Sequence, residues 1–310
     1  MKKEISVYVH YQALSCSVTE RDDVPKLSKR IPGFKFWTDV TQLRGKSHRM
    51  DKVDAMYLQW FFEKYTDLKS FRHKVTGNLL GILRPRRKTG SPISPLILSF
   101  GAPNFGPVSC EEVFPVRDHL LRKHNLHLQP DEVVLIVAIR APKGTGIHDM
   151  VAKSIVPGET WQPYSRLGEN CWVSDRRNSP SRLSVYDLAK ELPFGLEADL
   201  KHDFCIIKLV FRLARLKGMP TTLEELALHD WSHVYGKYFA LLEPTELLKK
   251  HDGYKTMTNA PIWDLQQFME TRHGIPPSDF YRDYVQDHPL LTDLVRDALA
   301  AYRWCPDYQE

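Results

Sequence analysis

"DEVVLIVAIRAPKG", residues 131–144, is the stretch of sequence that decides the fold. Seven consecutive apolar residues run from Val133 to Ile139, and five of them are β-branched. Such a run is short for a helix, and it is closed by the turn-forming residues Pro142 and Gly144. The stretch therefore predicts a central strand that is buried on both faces.

Upstream of this strand, the sequence carries one strand pattern and two helix patterns. "ISVYVHY", residues 5–11, alternates apolar and polar side chains as a half-buried strand does. "MDKVDAMYLQWFFEKYTDLKSF", residues 50–71, repeats apolar and aromatic residues at i, i+3, i+4 and i+7, which predicts an amphipathic helix. A second helix is expected within "CEEVFPVRDHLLRKHN", residues 110–125.

Downstream, the strand and helix patterns weaken and then become helical. Residues 157–184 are rich in Gly, Pro, Ser and Asn, and we expect a long loop there. From about residue 200 the patterns favour helices. The predicted helices are "DFCIIKLVFRLARLKG" (203–218), "TTLEELALHDWSHVYGKYFALL" (221–242), "APIWDLQQFMETRHG" (260–274), "PPSDFYRDYVQDH" (276–288) and "PLLTDLVRDALAAYRW" (289–304).

These patterns together predict an α+β fold. We expect a mixed domain over residues 1–198, with a small sheet and a basic hairpin, followed by an α-helical domain over residues 199–310. The five cysteines are far apart, with no C-x-x-C pair, which favours reduced thiols and a cytoplasmic location. No apolar run is long enough to span a membrane, and no pattern calls for a cofactor.

The net charge of +5 is unevenly distributed along the chain. Residues 1–100 contain 19 Lys and Arg against 9 Asp and Glu, a net charge of +10. Residues 101–310 contain 24 against 29, a net charge of −5. A basic surface confined to one part of a chain is typical of proteins with an anionic partner, of which nucleic acid is the commonest.

The basic residues cluster around a predicted hairpin. "GNLLGILRPRRKTGSPISPLILSF", residues 77–100, has apolar ends that suit two short strands and a Pro- and Gly-broken basic middle. Guanidinium groups pair with phosphates, and the aromatic residues interleaved with them can stack on unpaired bases. The candidate nucleic-acid-binding residues are Lys35, Arg44, Lys46, Arg49, Arg72, Lys74, Arg84, Arg86, Arg87 and Lys88.

A second candidate site is "HDWSHVYG", residues 229–236. On a helix, His229 and His233 would share one face, as two metal ligands do, with Asp230 beside them. The stretch resembles the H-D-x-x-H motif of the coenzyme Q biosynthesis family, although the downstream Glu of that family is not matched. A helical wheel over residues 222–242 places both histidines on a polar flank and Trp231 on the apolar stripe, which favours an ordinary amphipathic helix.

The sequence therefore predicts a nucleic-acid-binding protein, as a subunit of a larger nucleoprotein complex, that contacts the phosphate backbone through its basic N-terminal third. DNA and RNA are both open as partners, further protein subunits are expected, and a membrane is not. Two alternatives are a metal-dependent enzyme centred on residues 229–233 and a protein-interaction subunit without catalysis, so enzymatic activity stays undecided.

Overall fold

The computed structural model describes residues 5–20, 83–85, 96–100, 108–124, 126–158, 165–167, 171–174, 180–188 and 202–307. The α+β class predicted from the sequence is confirmed, since the chain combines helices with antiparallel sheets. The sheets lie in the N-terminal part, and helices are found in the C-terminal part.

The described residues form eleven strands in two sheets. In chain order these are β1 (Ser6–Glu20), β2 (Leu83–Pro85), β3 (Leu96–Phe100), β4 (Leu126–Pro142), β5 (Ile155–Pro157), β6 (Ser165–Leu167), β7 (Cys171–Ser174), β8 (Ser181–Asp187), β9 (His202–Arg212), β10 (Phe239–Pro244) and β11 (Val285–Asp287). The large sheet has the order β2-β3-β1-β4-β9-β8-β7-β6, and the small sheet has the order β11-β10-β5. β4 thus lies between β1 and β9, which confirms the predicted central strand.

Most helices of the described residues are short. They are α1 (Cys110–His124), α2 (Ile147–Ser154), α3 (Leu223–Ala227), α4 (Val234–Lys237), α5 (Glu246–Lys250), α6 (Asp252–Lys255), α7 (Ile262–His273), α8 (Pro277–Asp279) and α9 (Thr292–Ala301). α1, α7 and α9 confirm helices predicted from the sequence, whereas the helix predicted over residues 276–288 is wrong in part because β11 ends that segment. Among the helices described, none has both the length and the apolar character that crossing a membrane requires.

The two long central strands bury one face completely. Alternate side chains on this face are 0% exposed, namely Val133, Leu135, Val137, Ile139 and Ala141 in β4 and Cys205, Ile207, Leu209 and Phe211 in β9. Successive side chains of a strand point to opposite faces, so the intervening residues form a second face. On that face Arg140, His202 and Phe204 are only half-buried. Core packing therefore leaves polar and aromatic side chains on one side of these strands.

Internal contacts divide the chain into two compact units. The first comprises Met1–Val9, Ile136–Val210 and Asp230–Tyr302. Within it, a core cluster joins the small sheet to the helices that follow, through Val156, Leu248, Ile262, Leu265, Met269, Phe280 and Val285. The predicted domain boundary between residues 198 and 199 lies outside the described residues and stays a prediction.

The second unit comprises His10–Leu135, Phe211–His229 and Arg303–Glu310. Trp304 connects distant parts of this unit. Its indole Nε1 donates a hydrogen bond to the carbonyl oxygen of Val108 at 2.9 Å. Its ring also packs against Tyr11 and Phe114, with centroid separations of 5.4 and 5.9 Å. A buried tryptophan contributes a large apolar area, and here its polar nitrogen is satisfied as well.

The helix predicted over residues 203–218 is wrong. The chain instead forms β9, followed by a single 3₁₀ turn at Leu213–Arg215. In a strand, the fully buried Cys205 and Ile207 and the half-buried Lys208 fall on opposite faces, which a helix would not achieve. The β-branched and aromatic residues of the segment also favour a strand.

The loop predicted over residues 157–184 is wrong in part, because β6, β7 and the start of β8 occur there. β6 and β7 pair in antiparallel fashion, with Arg166 opposite Trp172. β7 and β8 also pair, with Trp172 opposite Val185. Side-chain burial alternates along β8, since Leu183 and Val185 are 0% exposed and their neighbours are half-buried.

The strands of the predicted basic hairpin are present. β2 and β3 pair in antiparallel fashion, with Leu83 opposite Leu98 and Pro85 opposite Leu96. β3 pairs in turn with β1, and Leu14 lies opposite Phe100. The basic residues between the two strands, 86–95, lie outside the described residues.

Candidate nucleic-acid interface

One of the ten predicted nucleic-acid-binding residues falls within a described segment. Arg84 lies in β2, where its backbone pairs opposite Ile97. The other nine lie outside the described residues, namely Lys35, Arg44, Lys46, Arg49, Arg72, Lys74, Arg86, Arg87 and Lys88. The set as a whole stays a prediction.

The H-D-x-x-H stretch is not helical, so the helix predicted over residues 221–242 is wrong. α3 ends at Ala227 and α4 begins at Val234, so His229 and Asp230 lie between two short helices. Within α4, Gly236 has a φ of 83°, and the chain continues directly into β10. The shared helical face that would make the two histidines a ligand pair does not form.

Local hydrogen bonds account for the polar groups of this stretch. The carboxylate of Asp230 accepts hydrogen bonds from the backbone nitrogen and the hydroxyl of Ser232, at 2.9 and 2.8 Å. Nδ1 of His233 lies 2.9 Å from the carbonyl oxygen of Asp230. Such side-chain to backbone bonds compete with helix formation. Within the described part of the chain, no three His, Cys, Asp or Glu side chains are grouped so that they could hold a metal ion.

The half-buried face of the large sheet carries a different constellation, which three strands bring together. Nη1 of Arg140 in β4 donates a hydrogen bond to the hydroxyl of Tyr8 in β1 at 3.3 Å. Nη2 of Arg140 lies 2.8 Å from Nε2 of His202 in β9. A guanidinium has no acceptor, so Nε2 of His202 accepts and its ring proton lies on Nδ1. The arginine is thus held between two aromatic rings.

This constellation is accessible and continues along β9. The side chain of Tyr8 is 47% exposed, although it is a large aromatic residue in a strand. The rings of His202 and Phe204 lie edge to face, with centroids 6.5 Å apart. The alternation of each strand also leaves Lys208 of β9 and Arg182 of β8 half-buried beside these rings' face. We call Tyr8, Arg140, His202 and Phe204 the sheet platform.

The sheet platform combines two properties that nucleic-acid recognition uses. Flat, exposed rings such as that of Tyr8 can stack on unpaired bases. Arg140 has five N–H donors in a planar fork, and its contacts with Tyr8 and His202 fix the orientation of that fork. A positioned guanidinium suits bidentate contact with a phosphate.

Sequence reasoning missed the sheet platform because its members are far apart in the chain. Arg140 lies 132 residues from Tyr8 and 62 residues from His202. One signal was visible, since the alternation of residues 5–11 places Tyr8 on the polar side of its strand. β9 was interpreted as a helix, so the partner strand of Arg140 was not predicted.

Comparison with known proteins adds little to this site. No family model matches the chain, and no curated protein sequence matches it. Among solved structures, the chain is similar to a rolling circle replication initiator protein from Geobacillus stearothermophilus, with a TM-score of 0.34 and 7% sequence identity. The similarity covers 81% of this chain and 91% of that chain. At this TM-score the likeness carries no argument about the function of the sheet platform.

Proposed function

We propose that the protein binds single-stranded nucleic acid along the sheet platform. The observation that carries the proposal is the position of Arg140, hydrogen-bonded to Tyr8 at 3.3 Å and lying 2.8 Å from His202 on the half-buried face of the sheet. Proteins that bind unpaired strands combine cations that follow the backbone with aromatic rings that stack on bases. This face supplies both groups within one set of contacts.

The strand is proposed to be unpaired because ring stacking requires exposed base faces. In a duplex the bases are already stacked on each other, and recognition from a sheet face would then depend on groove contacts. The predicted basic hairpin would add phosphate contacts to this site, and the charge of +10 in residues 1–100 supports that role. Such binding also suits a subunit of a larger nucleoprotein complex.

Fluorescence anisotropy with a labelled oligothymidylate, its ribose equivalent and a duplex tests the proposal. Tyr8→Ala is expected to weaken binding of the single strands by about 1–3 kcal/mol, the usual contribution of one stacked base. Tyr8→Phe retains the ring and should retain most of the affinity. Because Tyr8 is 47% exposed, neither change should unfold the protein.

A matched control is available for the cation. Arg140→Ala should weaken binding, whereas Arg282→Ala, which removes an exposed guanidinium paired with Asp279 and Asp283, should not. The proposal is wrong if wild-type protein binds none of the three nucleic acids. It is also wrong if Tyr8→Ala and Arg140→Ala bind as tightly as Arg282→Ala.

A further inference from the structure

A small polar cavity of about 200 Å³ lies where β8 ends and β9 and α2 begin. Its lining includes His148, Asp149, Asp187, Asp203 and Phe204. Drug-sized ligands occupy pockets of roughly 300–1,000 Å³, so this cavity suits a smaller molecule, of the size of one planar ring system. Phe204 belongs to both the cavity lining and the sheet platform, so the two are continuous.

The carboxylate of Asp203 is fixed in place at this cavity. Its Oδ2 accepts hydrogen bonds from the backbone nitrogens of Gly144 and Thr145, at 2.8 and 3.1 Å. Both bonds use the same oxygen, so Oδ1 keeps its capacity to accept. The glycine has a φ of 80°, which allows the loop after β4 to present its nitrogens to the carboxylate.

The imidazole of His148 provides an independent indication of a ligand site. The residue is 9% exposed, and its Nε2 is buried without a hydrogen-bond partner among the described residues. Its Nδ1 lies 3.5 Å from the carboxylate of Asp149, so we assign the ring proton to Nδ1. Nε2 is then an acceptor that no described residue satisfies, and a buried acceptor without a partner is costly.

The cavity is therefore rich in acceptors and negatively charged. Burial, together with the negative charges of Asp187 and Asp149, raises the pKa of the nearby Cys205 thiol. The described residues that line the cavity include no Lys or Arg. Since the described residues offer no group of three metal ligands, the chemistry of the lining favours an organic ligand with several N–H donors and a flat ring that fits beside Phe204.

We propose, building on the function proposed above, that this cavity receives a guanine base of the bound strand. The Watson–Crick edge of guanine presents the adjacent donors N1–H and N2–H₂, which a carboxylate such as that of Asp149 can accept together. Thymine and uracil present a single donor between two carbonyl oxygens, which the carboxylates repel. Cytosine and adenine present an amino group beside a ring acceptor, so each matches the lining in part.

The test compares oligothymidylates that differ at one internal position. Anisotropy titrations are run with guanine, thymine, inosine or 7-deazaguanine at that position. The guanine strand should bind at least about five-fold more tightly than the thymine strand, as one bidentate contact provides. Inosine lacks the N2 amino group and should lose most of the gain, whereas 7-deazaguanine keeps the Watson–Crick edge and should retain it.

Two protein variants assign any preference to the cavity. Asp149→Asn exchanges one acceptor oxygen for a donor, at a side chain that is 83% exposed and has little part in folding. It should reduce the ratio of guanine to thymine affinity to about one. Asp252→Asn, a matched change at a distant exposed carboxylate paired with Lys255, should leave the ratio as in the wild type.

The outcomes separate the two proposals. If no strand binds, the proposed function fails and the guanine site fails with it. If the strands bind equally well, the sheet platform stands and the guanine site is refuted. Equal loss of preference in Asp149→Asn and Asp252→Asn would also refute it, because a general charge effect would then explain the preference.

Discussion

Replacing Trp231 with alanine should strongly destabilise the protein. The side chain is 0% exposed, and its ring is stacked near that of His233, with an interplanar angle of 20° and centroids 6.3 Å apart. Truncation of a fully buried tryptophan typically costs about 3–5 kcal/mol, because apolar burial is removed and a cavity is left behind. The wheel that placed Trp231 in the core assumed a helix that does not form, but its burial is confirmed.

The two neighbouring histidines should matter much less. His229 and His233 are both half-buried, and Nδ1 of His233 lies 2.9 Å from the carbonyl oxygen of Asp230. Losing one hydrogen bond of this kind costs about 1 kcal/mol. The double substitution of both histidines by alanine should therefore lower the free energy of unfolding by a small fraction of what Trp231→Ala costs.

Urea denaturation followed by far-ultraviolet circular dichroism measures both effects. Trp263→Ala is a matched control, because the same atoms are removed from a half-buried position in α7. The burial argument is refuted if Trp231→Ala and Trp263→Ala shift the midpoint equally. Metal content, measured on the same samples, should not differ between the double-histidine variant and the wild type. Loss of a stoichiometric metal there would restore the metal-site hypothesis.

Two further predictions concern the basic hairpin and the pH dependence of stability. Exchanging the four hairpin cations for serine should weaken nucleic-acid binding and reduce the log–log salt slope by about 0.7–0.9 for each phosphate that the variant no longer neutralises, and an unchanged slope would exclude this loop; the cations are Arg84, Arg86, Arg87 and Lys88. Burial lowers the pKa of His233, so the stability associated with its neutral ring is present above the ordinary histidine value and is lost as the pH falls through the lowered value. His233→Asn should therefore show a smaller drop in melting temperature than wild type between about pH 7 and about pH 5, and an equal drop would contradict this reasoning.

The central strand could be predicted because its composition allowed one interpretation. The run from Val133 to Ile139 is too short and too β-branched for a typical helix, and the strand forms as expected. β9 has a longer apolar run, extending from Phe204 to Phe211 with one lysine, and its length suited a helix equally well. Burial on alternate residues decides between the two, and that depends on the neighbouring strands rather than on local sequence.

The chemistry of residues 229–233 shows the opposite kind of failure. Their spacing suggested a helix, but Asp230 bonds to Ser232 two residues later, a local turn that propensity at i, i+4 does not reveal. The sheet platform was beyond sequence reasoning for a different reason. Its contacts need the strand order, and that order follows from pairings between segments more than sixty residues apart.

The outermost strands of the large sheet limit how the protein associates with itself. β2 and β6 occupy the two ends of the strand order, and each has three residues. β2 also ends at Pro85, which has no backbone N–H to offer to an incoming strand. Long, regular edges invite intermolecular strand pairing and aggregation, and short edges that end in proline discourage it. Concentrated preparations should accordingly resist growth of the sheet from one molecule into the next.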